Sequence, residues 1–254
     1  MVDKEKTMSL MDTITKPANR PVIGTVCGDA GTGKTSLAAT FPSPIFIRAE
    51  DGLQAVANDT RPDAFPVLQA PQDLWDQLAA LIKEDHNYKT LVIDSVTQLE
   101  TMFMQYVVEN DEKKPKSINQ ALGGYGAGLA AVAAMHGRLR KACDILNTRK
   151  GMHIVFLAHA DKETVPSPEG DDYLRFSLRL CGKSMTHYVD NVDFVGFLRL
   201  QMFVKGDDGE RKRAITTGVS ELVTNAVATN VSKNRFGITA PIVVELGKNP
   251  LSGK

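Results

Sequence analysis

The 254-residue sequence predicts an α/β fold with a mostly parallel sheet and antiparallel strands at its C-terminal edge. Three observations support this class. Short apolar, β-branched runs alternate with segments of helical periodicity through the first two thirds of the chain. A glycine-rich turn joins the first of these runs to a helix. The last third is rich in strands instead. Buried strands that alternate with helices are typical of a parallel sheet, because a helix must carry the chain back between them.

Residues 20–94 contain four predicted strands and two helices. "VIGTVC" is a buried strand, and the helix after it begins at Gly33 and ends before Pro42. "PIFIRAE", "PVLQA" and "TLVID" are the next strands, and "PVLQA" is the weakest of them. Between the last two, Asp73 is expected to cap an amphipathic helix with apolar residues at helical spacing. These apolar residues are Leu74, Leu78, Leu81 and Ile82.

The chain continues with a helix through Leu99, Phe103 and Tyr106 and a polar, glycine-rich segment, "ENDEKKPKSINQALGGYGAG". A long helix follows, and "MHIVFLAH" forms the next strand. A second irregular segment is predicted from Asp161 to Gly182. The strands "VDFVGFLRLQMFV" and "RAITT" then flank a hairpin turn, "KGDDGE".

Composition narrows the class of protein without identifying a ligand. The 30 basic and 30 acidic residues balance, so a polyanion partner would need local basic patches. Cys27, Cys143 and Cys181 form no CxxC pair, which favours a reducing cytoplasm. We find neither a secretory signal nor an apolar run long enough to span a membrane, and therefore expect a cytoplasmic protein without a membrane partner. We assign residues 1–19 to a flexible arm and 20–254 to a single domain.

A phosphate-binding motif lies between the first strand and the first helix. "GDAGTGKT" matches G-x-x-x-x-G-K-[ST] at every fixed position, in the expected strand–turn–helix context. Its backbone N–H groups and the helix N-terminus would hold phosphates, Lys34 would contact the β- and γ-phosphates, and Thr35 would bind Mg²⁺. The predicted cofactors are therefore ATP and Mg²⁺. The nucleotide-binding residues are Gly28, Asp29, Ala30, Gly31, Thr32, Gly33, Lys34, Thr35 and Ser36.

Two acidic residues complete the predicted catalytic set. Asp94 ends the buried strand "TLVID" and would hold magnesium with Thr35, although a strand-end aspartate can also cap the next helix. Glu50 ends "IFIRAE" at the same sheet edge and would orient the attacking water. Asp51 is the nearby competitor for this role, and a solvated surface acid is the alternative to both.

The order of these motifs resembles the core of the RecA-type recombinases over residues 20–247. The segments that carry the resemblance are "GDAGTGKT", "FIRAEDG", "TLVIDSVTQL", "IVFLAH" and "VSKNRFGITAP". The sequence is most similar to short phage-encoded RecA-core ATPases of the Sak type, which are proposed to assist single-strand annealing. The resemblance implies a RecA-like P-loop NTPase core that acts on single-stranded DNA, in phage recombination or replication, in the host cytosol.

The resemblance also implies roles for individual residues. It supports Glu50 over Asp51 as the water-activating residue and places His159 where the family has a γ-phosphate sensor, usually glutamine in RecA. Lys233 and Arg235 would reach into a neighbour's ATP site, so identical subunits would assemble head to tail into a ring or filament. The alternative for His159 is a purely structural histidine. The alternative for Lys233 and Arg235 is a solvated basic hairpin. A segment corresponding to RecA's polymerising arm or its C-terminal domain is not recognised, which favours annealing beside a single-strand-binding protein over full strand invasion.

The two irregular segments fall where RecA-type proteins carry DNA-binding loops. The first offers Lys113, Lys114 and Lys116 for phosphates and Tyr125 for base stacking, unless the loop is only solvated and Tyr125 packs inward. The second offers Lys162, Arg175 and Lys183, but it is also acidic and is the weaker candidate.

Three other functions remain open from the sequence. A small-molecule or nucleotide kinase would share the P-loop, but we find no arginine-rich lid. A replicative-helicase core also uses a late basic hairpin, but it usually brings a priming or loading domain. A binding module in which ATP acts only as a switch would need no turnover.

Overall fold

The computed structural model describes residues 10–16, 20–167, 170–205 and 213–253. The expected arm, residues 1–19, therefore lies mostly outside the described residues, and Leu10–Thr13 within it forms a 3₁₀ turn. The predicted turn "KGDDGE" also lies outside them from residue 206 onward. The division into an arm and one domain stays a prediction.

The described residues contain ten strands and five α-helices. The strands are β1 (Ile23–Gly28), β2 (Pro44–Arg48), β3 (Asp63–Ala64), β4 (Thr90–Asp94), β5 (His153–Val165), β6 (Tyr173–Leu178), β7 (Phe194–Lys205), β8 (Arg213–Val223), β9 (Lys233–Asn234) and β10 (Ile242–Val243). The helices are α1 (Lys34–Ala38), α2 (Pro71–Lys83), α3 (Val96–Glu109), α4 (Ala127–Lys150) and α5 (Gly182–Val189).

The sheet has the strand order β10-β8-β7-β1-β5-β4-β2-β3. From β7 to β3 every neighbouring pair is parallel, whereas β8 and β10 are antiparallel to the strands they join. The predicted class, mostly parallel with antiparallel strands at the C-terminal edge, is confirmed. Strand β1 divides the sheet into two halves. We call the half containing β5, β4 and β2 the acid side, and the half containing β7, β8 and β10 the C-terminal side.

Apolar packing on both faces explains why the central strands are continuous hydrophobic runs. All six residues of β1 and all five of β4 are buried. Helices α2, α3 and α4 cover one face with Leu78, Phe103 and Leu139. Helix α1 and the chain after β10 cover the other face. The central strands are therefore buried on both sides, whereas Met202 of β7 and Ile215 of β8 are exposed.

Two predictions about the first half need correction. The segment "PVLQA" is not a strand, because the short edge strand forms earlier, at Asp63–Ala64. Leu68 of "PVLQA" only donates a single backbone hydrogen bond to Arg48. Asp73 is not the N-cap of α2, which begins at Pro71. From the first turn of α2, its carboxylate accepts the backbone N–H groups of Gln69 and Ala70.

The second segment predicted to be irregular, from Asp161 to Gly182, is largely ordered as an antiparallel ribbon. Strand β5 continues to Val165 and pairs with β6, and Glu163 stands directly opposite Arg175. Opposite charges across an antiparallel pair stabilise it. The segment resembles a loop in sequence because the exposed faces of the ribbon carry many polar side chains.

Candidate nucleotide-binding site

The glycine-rich loop turns sharply between β1 and α1. Gly31 and Gly33 have φ angles of 77° and 90°, a left-handed conformation that glycine adopts without the strain a Cβ would impose. Thr32 Oγ1 donates to Asp29 O at 2.8 Å and closes the turn. Gly28 is required for a different reason, since a Cβ there would lie 2.5 Å from the Leu198 carbonyl oxygen of β7. The loop is thus fixed between its own turn and the neighbouring strand.

Lys34 lies across this loop. Its Nζ donates to Gly28 O at 3.0 Å and to Asp29 O at 2.9 Å, and only 7% of the residue is exposed. Burial lowers the pKa of the amine, while the nearby Asp94 and Glu50 carboxylates oppose that effect. A buried ammonium group that uses two of its three donors on backbone carbonyls beside a glycine-rich turn is suited to contact a phosphate anion.

Thr35 and Asp94 form a polar pair behind the loop. Thr35 Oγ1 donates to Asp94 Oδ2 at 2.9 Å, and Asp94 is 3% exposed. Burial raises the pKa of the Asp94 carboxyl to about 6, and the Thr35 hydrogen bond acts in the opposite direction. Gly52 lies against the pair, because a Cβ at this position would approach both oxygens at 3.0 Å. A side chain at position 52 would therefore crowd the two oxygens of this pair.

Glu50 and His159 face each other at the same edge of the sheet. His159 Nε2 lies 3.1 Å from Glu50 Oε1, and the ring donates when the carboxylate is ionised. This hydrogen bond is the main cause that lowers the pKa of Glu50, and burial opposes it. Backbone contacts fix both residues. Glu50 N donates to Asp94 O at 3.4 Å, and His159 stands level with Gly28 in the β1–β5 register.

The donor set fits a magnesium–nucleotide complex. A hydroxyl and a carboxylate oxygen are ligands that Mg²⁺ accepts, and Mg²⁺ usually takes its other ligands from water and substrate phosphates. Among the described residues, we find no cluster of three or more His, Cys, Asp or Glu side chains that could hold a metal without such help. Thr35 and Asp94 thus fit a metal that arrives with the nucleotide, and Lys34 fits the phosphates of that nucleotide.

Lys233 and Arg235 lie away from this site within one chain. Strand β9 pairs with the beginning of β7, and Arg235 N donates to Asp193 O beside the start of β1. The P-loop begins at the other end of β1, roughly 16 Å further along the strand. Lys233 Nζ donates to Asp190 O at 2.6 Å, and Arg235 Nη1 lies 3.3 Å from Asp193 Oδ1. The side chain of Arg235 is nevertheless 59% exposed and faces solvent.

The first predicted DNA segment is an irregular loop with exposed cations. Lys113, Lys114 and Lys116 are exposed, and Lys114 Nζ donates to Glu109 O. Tyr125 is completely exposed and has a positive φ of 51°, uncommon for a residue with a Cβ. The alternative that Tyr125 packs inward is wrong.

The second predicted DNA segment offers fewer available cations than the sequence indicates. Arg175 donates to Glu163 Oε1 from two nitrogens, at 2.8 and 2.6 Å. Lys162 Nζ lies 5.7 Å from the centroid of the Phe176 ring. Lys183, in the first turn of α5, is exposed. The positive charge of Arg175 is therefore largely balanced within the ribbon itself.

Sequence reasoning missed several residues that organise the site. Gly52 makes room for the Thr35–Asp94 pair. Its position directly after "RAED" is the signal in the sequence that could have indicated this role. Thr97 Oγ1 accepts His159 N at 3.0 Å and thereby joins α3 to β5. Arg48 donates to Phe65 O and to Asp51 Oδ1, which fixes the chain around Glu50. Thr97 and Phe65 are distant in the chain from the residues they contact, so no local motif indicates these two contacts, whereas Arg48 and Asp51 are only three residues apart.

Comparison with protein-family models gives one match. A family model described as "AAA domain" matches residues 20–236. Among curated proteins, the search finds no match. One similar solved structure is a KaiC-like protein from the hyperthermophilic archaeon Pyrococcus horikoshii OT3. It has 13% sequence identity and a TM-score of 0.48, with 91% of this chain and 88% of that chain covered. In the described part of the chain, no helix has the length and apolar character needed to cross a membrane.

Proposed function

The chain belongs to the AAA domain family, a P-loop NTPase family, and on this premise we propose that it is an Mg²⁺-dependent ATPase that acts on single-stranded DNA in strand annealing or pairing. The observation that carries the proposal is the convergence of Lys34, the Thr35–Asp94 pair and the Glu50–His159 pair at one edge of a parallel sheet. Each of these groups meets a different requirement of phosphoryl transfer to water.

Nucleotide binding is assigned to the loop and Lys34. The N–H groups of the turn hold the phosphates, and the Lys34 amine exchanges its contacts with Gly28 O and Asp29 O for phosphate oxygens. Thr35 and Asp94 hold Mg²⁺ from the protein side. When bound, Mg²⁺ neutralises charge on the β- and γ-phosphates.

Hydrolysis is assigned to Glu50. Its carboxylate has a lowered pKa, so it is ionised at neutral pH and can accept a hydrogen bond from an attacking water. His159 holds the carboxylate and stands level with the first P-loop residue. It can therefore respond to the γ-phosphate through the same hydrogen bond. Arg235 of a neighbouring copy would supply the positive charge that stabilises the transferring group.

Single-stranded DNA is assigned to the loop between α3 and α4. The exposed lysines at 113, 114 and 116 neutralise backbone phosphates, and the exposed Tyr125 offers a ring on which any base can stack. The glycines around Tyr125 have positive φ angles, which only glycine adopts readily. The β5–β6 ribbon contributes less because Glu163 pairs with Arg175.

The first test is whether single-stranded DNA raises ATP turnover. We expect stimulation in the wild type and no nucleotide binding or turnover in Lys34→Ala. Tyr125→Ala should keep its basal turnover and need a higher DNA concentration for half-maximal stimulation. Loss of one stacked base corresponds to ~1–3 kcal/mol, or roughly fivefold to a hundredfold weaker DNA binding. Tyr106→Ala, an exposed tyrosine on α3 outside both proposed DNA segments, is the matched control. Turnover that DNA leaves unchanged would contradict the DNA assignment, and full turnover in Lys34→Ala would contradict the ATPase assignment.

A second candidate function is an ATP-switched DNA-binding module in which hydrolysis is incidental. The Glu50–His159 hydrogen bond favours it, since a carboxylate engaged by a sensor can report on nucleotide without activating water. Glu50→Gln separates the two functions. Abolished turnover together with intact ATP-dependent DNA binding and annealing would favour the switch, whereas annealing lost along with turnover would favour the ATPase.

A further inference from the structure

A cavity of about 430 Å³ adjoins the P-loop on the C-terminal side of the sheet. The start of α1 forms one wall, with Gly33 and Ser36. The opposite wall comes from residues 218–220 of β8 and from residues 243–248, which we call the C-terminal segment. The cavity therefore opens directly from the phosphate-binding loop.

The positions of the acidic residues fix the direction in which a bound nucleotide would extend. Asp94 ends β4 and His159 lies on β5, so the γ-phosphate chemistry is on the acid side of β1. The cavity lies on the other side of β1, beside β7 and β8. A triphosphate with its γ-end at the acids must direct its α-phosphate and nucleoside toward this cavity.

The walls of the cavity are mainly aliphatic. Leu37 and Leu198 are buried at its base, and Leu246 at its mouth is 95% exposed. An exposed leucine at the rim of a nucleoside-sized cavity can cover a flat base and lose its contact with water.

The polar side chains of the cavity are mostly engaged elsewhere. Thr32 Oγ1 donates to Asp29 O, and Thr40 Oγ1 donates to Leu37 O at 2.7 Å. Glu245 and Lys248 pair with each other. Ser36 and Ser220 add hydroxyl groups, and a hydroxyl either donates or accepts, so it does not distinguish an amino edge from a keto edge.

Building on the proposed function, we propose that this cavity receives the ribose and base, that Leu246 covers the base, and that the site discriminates little among nucleobases. Strong selection requires buried polar groups that are left unpaired by the wrong base. The engaged side chains of this cavity do not provide such a set. The site therefore takes nucleoside triphosphates as a class, with the triphosphate supplying the specific contacts.

Equilibrium binding with slowly hydrolysed analogues of ATP, GTP, CTP and UTP, each with Mg²⁺, tests the discrimination. We expect the four Kd values to fall within about two-hundredfold of one another, since apolar contacts separate similar ligands by only ~1–3 kcal/mol, whereas selection by buried polar groups reaches about 10⁴-fold. A difference of more than about two-hundredfold between any two of them would overturn the proposal.

A variant and a second probe test the position of the base. Leu246→Ser should weaken binding of the ATP analogue by about tenfold, the size expected for partial loss of a leucine contact. It should leave binding of inorganic tripolyphosphate unchanged. Leu174→Ala, an exposed leucine on the β5–β6 ribbon, is the matched control and should change neither. Unchanged ATP affinity in Leu246→Ser would overturn the assignment.

The same probes separate the two proposals. If tripolyphosphate binds as tightly as the ATP analogue, the cavity contributes nothing to affinity, and only this inference fails. If neither tripolyphosphate nor any nucleotide binds, the proposed ATPase function fails as well.

Discussion

Asp94 is a buried acid whose ionisation works against the stability of the fold. Burial raises the pKa of its carboxyl from 3.8 to about 6 in the folded protein. The unfolded chain therefore releases this proton at lower pH than the folded chain does. The contribution of Asp94 to the free energy of unfolding therefore decreases as the pH rises from about 4 to about 6. This contribution stays at its lower value at higher pH.

We therefore predict that Asp94→Asn stabilises the nucleotide-free protein at pH 7.5. An asparagine oxygen can still accept from Thr35, and the desolvated charge is gone. A shift of two pKa units corresponds to about 2–3 kcal/mol, an upper bound for the gain in unfolding free energy. The gain should mostly vanish at pH 4.5. Urea unfolding at both pH values measures it.

Asp51→Asn is the control for Asp94→Asn, because the Asp51 side chain is 49% exposed. A stabilisation of equal size at the two pH values would contradict the electrostatic explanation. With Mg²⁺ and ATP present, the wild type should become more stable than Asp94→Asn. The wild type keeps the carboxylate that binds Mg²⁺, and a ligand stabilises the folded protein that binds it.

Helices α4 and α5 meet around a second buried titratable group, His136. Its Nδ1 lies 2.6 Å from Tyr188 Oη, and both residues are fully buried. Burial, with a smaller effect from His187, lowers the pKa of His136 to about 3. The unfolded chain takes up this proton near pH 6.5 and the folded chain does not. His136 therefore contributes stability above pH 6.5 that is lost as the pH falls toward 3.

Replacing both partners should remove this pH dependence. In His136→Leu/Tyr188→Phe, the difference in unfolding free energy between pH 7.5 and pH 5 should be smaller than in the wild type by about 2 kcal/mol. Denaturant unfolding at the two pH values tests it. His136→Leu alone leaves the Tyr188 hydroxyl without its partner and should cost about 1–3 kcal/mol at pH 7.5. At pH 5 this cost should be smaller by about 2 kcal/mol, because the variant lacks the titrating imidazole. An unchanged pH dependence in the double variant would contradict the assignment to His136.

The elements that the sequence predicts well are those whose signal is local. Strands β1, β2 and β4 are continuous apolar runs, and the P-loop motif fixes the turn between β1 and α1. The β5–β6 ribbon was missed because pairs such as Glu163 with Arg175 become visible only when the strands are side by side. The nucleoside cavity was missed for a similar reason, since Ser36 and Leu246 are about two hundred residues apart in the chain. The acids of the site were found because strand ends in a parallel sheet share an edge.

Across the whole molecule, the acids and Arg235 occupy opposite ends of the strands. Asp94 and Glu50 lie at the carboxyl ends, and Arg235 lies beside Asp193 at the amino end of β7. A single chain cannot bring these groups together without unfolding. The trans role of Arg235 thus stays a prediction that requires a second copy of the chain.

Mixing two inactive variants tests this requirement. Arg235→Ala should lower turnover by about 10³-fold, the lower end for an arginine finger, without loss of nucleotide affinity. Glu50→Gln should be inactive for a different reason. At equal amounts, about a quarter of the interfaces in a random head-to-tail assembly combine an intact Glu50 with an intact Arg235. Turnover should therefore recover in proportion, and no recovery at any mixing ratio would contradict trans action.

The position of Arg235 at the far end of the strands would also give an assembly polarity. In an open row of copies, the two terminal molecules are not equivalent. At one end of the row, the nucleotide site of the last molecule is not contacted by the Arg235 of a neighbour. At the other end, the Arg235 of the last molecule contacts no neighbouring nucleotide site. Turnover per molecule would then rise with the number of copies in a row, whereas in a closed ring every member would work alike.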